Sequence, residues 1–292
     1  MCPGDSPGYC LRCCGRAGRL VSGATAKAPD LAELRHTTAT SIAALIRDPA
    51  GLPDAFAAAL ALGHARCAAD PSAAHVDTWG PWALAVQLGS ALFCGAQPQE
   101  CWLDEDLVRQ LPALPAEPPA DARRWLDAFY VAVVCRQPDR VNRLCQVPLE
   151  ALQRDDSVDA YVLHWIDTLQ TYCSDRPIND TVDKLIATME ASAPRSLTHA
   201  PKDFVDLIDY QPAALFHRLI TRDRDAFAEA LAEALDHHKT YWRDSAAPRA
   251  QVALGPLAMA CLAYDYEFPF ETEQPYLPRY LLNRERIETI PG

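Results

Sequence analysis

An almost unbroken apolar run from Val252 to Tyr264 (VALGPLAMACLAY) limits what this chain can fold into more than any other stretch. It is too short to span a bilayer, which takes about 20 residues. Its small residues, Ala253, Gly255, Ala258, Ala260 and Ala263, would let neighbouring helices approach closely. A helix that is apolar all round must be covered all round, so the run reads as a buried C-terminal helix at about residues 252–266. Gly255-Pro256 marks a kink or a late helix start, because proline is tolerated only in a first turn. After Asp265-Tyr266-Glu267 comes an extended acidic segment with Pro269, Glu271, Glu273 and Pro275, then a short helix around Tyr280-Leu281-Leu282.

The partners of that helix are also helices, since from Asp30 onward the pattern has almost no strand alternation. Asp30 caps a helix through Leu31, Leu34, Thr38, Ile42 and Leu45, which Pro49 to Pro53 end. Leu52–Cys67 is alanine-rich with Phe56, Leu60 and Gly63 on one side, and Trp79–Cys94 sets Trp79, Trp82, Val86 and Phe93 at helical spacing. The proline-laden LPALPAEPP at Leu111–Pro119 cannot be helical and is the candidate subdomain break, near residues 111–120. Beyond it, Asp121 caps a helix through Trp125, Phe129 and Ala132. Val158, Val162, Trp165, Leu169 and Tyr172 form one clean stripe, and Phe227, Leu231, Ala234, Leu235, His238 and Trp242 another.

One short echo recurs: VCRQPDRV (Val134–Val141) and ITRDRDAF (Ile220–Phe227) place an apolar residue, Arg, Asp and an apolar residue at the same offsets. Each has a basic residue where one helix ends and an aspartate where the next begins. The chain therefore reads as all-α, with stacked antiparallel helical hairpins around the buried C-terminal helix.

The formal charge is −12; residues 1–29 carry +3, so the remainder carries −15. An acidic body argues against nucleic acid as partner, because phosphate contacts need a positive surface. It suits a basic partner and fast, salt-sensitive association. No stretch is long enough for a transmembrane helix, and Arg12, Arg16 and Arg19 interrupt the only signal-like run, so the expected address is cytoplasmic. Most of the eleven cysteines lie within helical patterns, where cysteine behaves as a small hydrophobe. Cys10-x-x-Cys13 has no second spaced pair, and residues 1–29 read as a disordered Cys/Gly/Pro-rich tail before a single domain at 30–292.

Candidate chemistry is sparse. His237 and His238 are adjacent and point about 100° apart on a helix, which suits packing better than a shared ion. His164 and Asp167, three apart, read as a structural polar pair. The sequence carries no nucleophile elbow, Walker loop, dinucleotide fingerprint or zincin motif, so no catalytic residue, metal site or cofactor is assigned. Asp104-Glu105-Asp106 and Asp155-Asp156-Asp159 read as solvated faces or helix starts. Asp203, Asp206 and Asp209 are spaced by three, so on a helix their carboxylates line one side and repel until a cation or partner arrives.

Several separate blocks carry a family likeness. They are Ala65–Phe93, Trp125–Leu152, YVLHWIDTLQTY (Tyr161–Tyr172), FAEALAEALDHHKTYW (Phe227–Trp242) and Val252–Leu282, which together cover most of residues 30–285 in order. The sequence resembles the immunity protein 49 family of bacterial polymorphic-toxin systems, its actinobacterial members in particular. Members have a glutamate-rich segment before Tyr-Leu-Pro; here Glu271-Thr-Glu273-Gln-Pro275 precedes Tyr276-Leu277-Pro278, with an extra proline. The resemblance implies an all-α, non-enzymatic protein that binds and neutralises a cognate toxin; the acidic surface would pair with a basic face of it, and for a nuclease-like toxin the carboxylates would stand in for phosphates. For the contact surface the expectation is Glu267, Glu271, Glu273 and Tyr276, with Asp203, Asp206 and Asp209 as a second acidic candidate. Two alternatives stay open: a helical scaffold for another protein, and a metal-dependent hydrolase using His164, His237 or His238.

Overall fold

The computed structural model describes residues 30–283 apart from 46, 95–98, 105–106, 112–118 and 175. The tail at 1–29 and most of the proline-rich break therefore lie outside the described residues. The fold is all-α. It opens with α1 (Leu31–Leu45), α2 (Leu52–Ala69) and α3 (Val76–Cys94), each packed on the next. Asp30 accepts the N–H of Ala32 at 2.9 Å and starts α1. Trp79 and Trp82 on α3 are buried, as their spacing predicts. At Gly89 the helices come so close that an added Cβ would lie 2.9 Å from both Ala128 and Phe56.

Among the described residues one two-stranded hairpin interrupts the helices: β1 (Gln99–Asp104) pairs antiparallel with β2 (Leu107–Leu111), Gln99 opposite Leu111. Neither QECWLD nor LVRQL alternates apolar and polar residues, so no period-two signal marks them and the helical reading passes over them.

The helices on either side of the proline-rich segment, α3 and α4 (Ala122–Val134), pack against each other. Asp121 caps α4 by accepting the N–H of Arg124 at 2.9 Å. Then come α5 (Pro138–Cys145), α6 (Leu149–Leu152), α7 (Ala160–Cys173) and α8 (Ile178–Ala191). The short α9 (Lys202–Phe204) widens into a π-helical turn, Val205–Asp209, before α10 (Gln211–Ile220) and α11 (Arg224–Tyr241). Pro212 has no N–H to give to an α-helical carbonyl four residues back, and the wider turn passes that gap. In that turn the Tyr210 N–H reaches five back to the Val205 carbonyl, and the Asp206 carbonyl it skips accepts from the Gln211 side chain at 2.6 Å.

The apolar run becomes α12 (Leu254–Asp265), with Pro256 in its first turn, so Gly255-Pro256 marks a late start. It packs on α4, α10, α11 and the terminal α13 (Arg279–Asn283). Leu254 to Cys261 are all buried; Tyr264 emerges at the far end. At Gly255 an added Cβ would sit 2.5 Å from the ring of Pro212, so this glycine lets α10 and α12 touch. Burial pushes the Cys67 and Cys135 thiols up to about 12 and the Cys261 thiol to about 11, and all three pack as small hydrophobes.

The sequence echo is a shared backbone device. Arg136 (φ 52°) and Arg222 (φ 57°) both take the left-handed conformation. In each turn this residue donates three back (Arg136 to Val133, Arg222 to Leu219) and its successor five back (Gln137 to Ala132, Asp223 to Arg218). That is a Schellman cap, normally built on glycine. The end of α12 repeats it at Glu267 (φ 59°), with Glu267 donating to Tyr264 and Phe268 to Ala263.

Arg136 has a second task. Its side chain is only 6 % exposed and pairs with Asp265 at 2.8 Å. The guanidinium also donates to the carbonyls of Val134 (2.9 Å), Cys261 (3.3 Å), Leu281 (3.4 Å) and Leu282 (2.7 Å). These carbonyls belong to the last turns of α4, α12 and α13, so one cation closes three negative helix ends. The C-terminal acidic segment starts from this point and is anchored by it.

Candidate functional site

The segment after α12 is a tethered loop. Glu267, Glu271 and Glu273 are exposed. A Glu271 carboxylate oxygen accepts the N–H of Glu273 at 3.1 Å, and its carbonyl accepts the Gln274 side chain at 2.6 Å. Glu273 pairs with Arg279 on α13. Leu277 N–H closes a turn onto the Gln274 carbonyl, with Pro275 and Tyr276 at its corners. Tyr276 takes φ 63°, the left-handed position such a turn needs. The Tyr276 ring lies 5.1 Å from His238, and its carbonyl accepts the N–H of Ala253 at the start of α12. Glu267 and Glu271 thus face solvent, Glu273 is half committed to Arg279, and Tyr276 clamps the segment to the core.

Beside these carboxylates the structure adds two residues that the sequence reading left out. Tyr264 and Tyr266 are 38 % and 57 % exposed, and they flank Asp265. The Tyr266 hydroxyl is 3.1 Å from that of Tyr172, near the end of α7 and just before α8 begins. Their signal in the sequence was position: tyrosines at the end of a fully apolar helix, past the last residue the core can cover.

The second acidic candidate divides. Asp203 and Asp206 are exposed, but Asp209 turns inward. It accepts from Arg123 at 2.6 Å and from the Tyr161 hydroxyl at 2.5 Å, while Arg123 also reaches Tyr161 at 3.0 Å. Burial and the Asp209 carboxylate push the Tyr161 phenol up. The π turn is the reason the three do not share a side: it has more residues per turn than the α-helix that their spacing assumes. Asp206 instead borders an open cleft of about 200 Å³ with Met189, Ser192, Ala193, Val205 and Tyr210.

One wall of that cleft is α8, which leaves an apolar stripe exposed beside its buried face. Thr181, Leu185, Thr188 and Ser192 point inward and are at most 7 % exposed. Thr188 meets Thr168 of α7 at 3.1 Å, and Ser192 donates to the Thr188 carbonyl at 2.8 Å. Ile178, Ile186 and Met189 point outward, 49 %, 48 % and 37 % exposed. Lys184, paired with Asp167 of α7, holds the helix in this rotation. The loop after α8 is pinned by the buried Asp159, which accepts the N–H groups of Thr198 (2.6 Å), His199 (3.0 Å) and Ala200 (2.7 Å). Burial works against charge on Asp159, but the donors from Ala200, Thr198 and His199 outweigh it and hold its carboxyl below the usual range.

The histidines take separate places. His164 is exposed, while its neighbour Asp167 is tied to Lys184. His237 lies 3.8 Å from Glu233. His238 is buried, its Nε2 3.1 Å from the Ala250 carbonyl. Burial lowers it to about 4, so the ring is neutral and donates to that carbonyl. Among the described residues, no three His, Cys, Asp or Glu side chains converge as metal ligands. Among the same residues, no helix is long and apolar enough to cross a membrane. Asp104 ends β1, whereas Glu105 and Asp106 lie outside the described residues.

A family model described as Immunity protein 49 matches residues 70–281. No curated protein and no solved structure matches the chain.

Proposed function

The chain belongs to the immunity protein 49 family, and from that premise we propose that it binds a cognate protein toxin and neutralises it by covering its working surface. Residues 30–292 act as one domain in this reading, with residues 1–29 outside it, and the action is stoichiometric, not catalytic. The observation that carries the mode of binding is the arrangement at the end of α12. Glu267 and Glu271 are exposed beside Tyr264 and Tyr266, on a segment anchored by the Arg136 cluster and by Tyr276. Tyrosines on a pre-ordered surface bind at little entropic cost, and carboxylates around them steer a basic partner and fix its register. With −12 overall, the chain is charged to meet such a partner from a distance. The basic, nuclease-like character of the toxin and the cytoplasm as the place of action belong to the same proposal.

Replacing Glu271 and Glu273 together with Lys tests it, read by co-purification of the neighbouring toxin domain at low and high salt. The Arg279 pair lost with Glu273 is exposed and worth at most about 1 kcal/mol, so the variant stays folded. The expected outcome is a weakened complex, and a wild-type complex that itself loosens as salt rises. A folded variant with unchanged affinity moves the contact away from this segment.

A further inference from the structure

The apolar stripe left exposed on α8 needs a reason. On a surface helix the apolar stripe faces the core; here Leu185 does so together with Thr181, Thr188 and Ser192, and the larger stripe lies beside them, uncovered. Ile178, Val182, Ile186 and Met189 recur at i, i+4, i+8 and i+11, within an arc of about 80° at 3.6 residues per turn. Three of the six large hydrophobic side chains most exposed among the described residues are on this one helix. Scattered exposed hydrophobics are ordinary, whereas a contiguous stripe with a polar rim marks an interaction site. The helix is also rigid: its inner face is hydrogen-bonded to α7, and Asp159 fixes the loop that follows. The stripe is thus a pre-ordered surface, not a frayed end.

The rim says what covers it. Asp183 and Glu190 are exposed along the solvent side of the stripe, and Asp206 stands across the cleft from Met189. The cation on α8 itself, Lys184, lies towards α7 and is paired with Asp167; Arg176 precedes the helix at its Ile178 end, and Arg195 and Lys202 stand beyond its other end, away from Asp183. A second copy of this chain docking by two-fold symmetry would bring two acidic rims into one interface, and gathering like charge costs binding. A partner with apolar side chains flanked by lysine or arginine meets no such penalty.

We propose that the outer stripe of α8 and the cleft beside it are the docking site for the cognate toxin, which inserts an apolar segment framed by basic residues. This rests on the immunity reading above and names the surface that supplies the apolar part of the contact. The Tyr172–Tyr266 hydroxyl contact joins the end of α7, which leads into α8, to the acidic C-terminal segment.

The test is the affinity of the full chain for the toxin domain encoded beside it. Ile186→Ser with Met189→Ser removes the stripe and leaves every buried side chain in place. Unfolding is expected to be unchanged and the Kd to rise roughly 10- to 100-fold, the range of apolar anchors at interface centres. Asp183→Lys with Glu190→Lys reverses the rim and is expected to slow association by roughly tenfold at low salt, with the difference closing as salt rises. Wild-type affinity in both folded variants overturns the docking site while the immunity reading stands. A wild-type chain that neither binds nor protects overturns both. A wild-type dimer that Ile186→Ser breaks shows that a second copy covers the stripe, and also overturns the proposal.

Discussion

The two Schellman turns centred on arginine form a controlled pair, because the same backbone device carries that side chain in different surroundings. Arg222 is exposed, and Arg136 has its guanidinium buried among three helix ends. Replacing either by glycine relieves a side chain held at φ 52° or 57°, which is worth about 1 kcal/mol. For Arg222→Gly little else changes, since glycine also adds freedom to the unfolded chain; the expected effect is neutral to about 1 kcal/mol stabilising. For Arg136→Gly the same relief is set against the loss of three short charge-assisted bonds, to Leu282 (2.7 Å), Asp265 (2.8 Å) and Val134 (2.9 Å). Leaving the Leu282 and Val134 carbonyls without their charged donor, and the more exposed Asp265 unpaired, costs about 3–5 kcal/mol. The net for Arg136→Gly is therefore about 2–4 kcal/mol destabilising. Urea unfolding followed by circular dichroism reads both variants, with the midpoint shift taken at unchanged slope. If Arg136→Gly were as stable as Arg222→Gly, the buried cation would not be what holds α13 and the acidic segment to the core.

Two further outcomes follow from buried groups. Gly255→Ala places a Cβ 2.5 Å from a rigid proline ring and is expected to cost about 1–3 kcal/mol; an unchanged urea midpoint would mean that α10 and α12 separate freely. His238 is lowered to about 4 by burial, so on acidification the unfolded chain takes up a proton near 6.5 while the folded ring stays neutral. The resulting stability, roughly 3 kcal/mol, is complete above pH 6.5 and is lost as pH falls towards 4. Burial lowers His64 in the same direction. His238→Gln keeps a donor for Ala250 and is expected to flatten this part of the pH profile; the same slope in variant and wild type would show that His238 does not titrate there.

Much of the fold was legible because apolar spacing and burial are locally linked. The run at Val252–Tyr264 had to be covered, and all of it to Cys261 is buried; the stripes of α7 and α11 bury the residues their period selects except Tyr172 and Trp242 at their ends, which are half-buried. The echo at Arg136 and Arg222 was visible as a turn signature. What could not be read was that Arg136 reaches carbonyls more than a hundred residues away, since long-range placement leaves no local pattern. The same holds for Asp209: spacing by three promised a shared face, but Pro212 and the π turn redirected it to Arg123 and Tyr161. α8 lies beyond sequence reasoning for the opposite reason. Periodicity alone would turn Ile178, Ile186 and Met189 inward, and only the threonine contacts to α7 and the Lys184–Asp167 pair show that they face out.

The most direct measurement of the central claim is growth of cells that express the neighbouring toxin domain, with and without this chain. The account predicts that the toxin alone stops growth, that co-expression restores it, and that the two proteins then co-purify as a complex that high salt loosens. A toxin active by itself, with no rescue and no complex when this chain is present and folded, would contradict it.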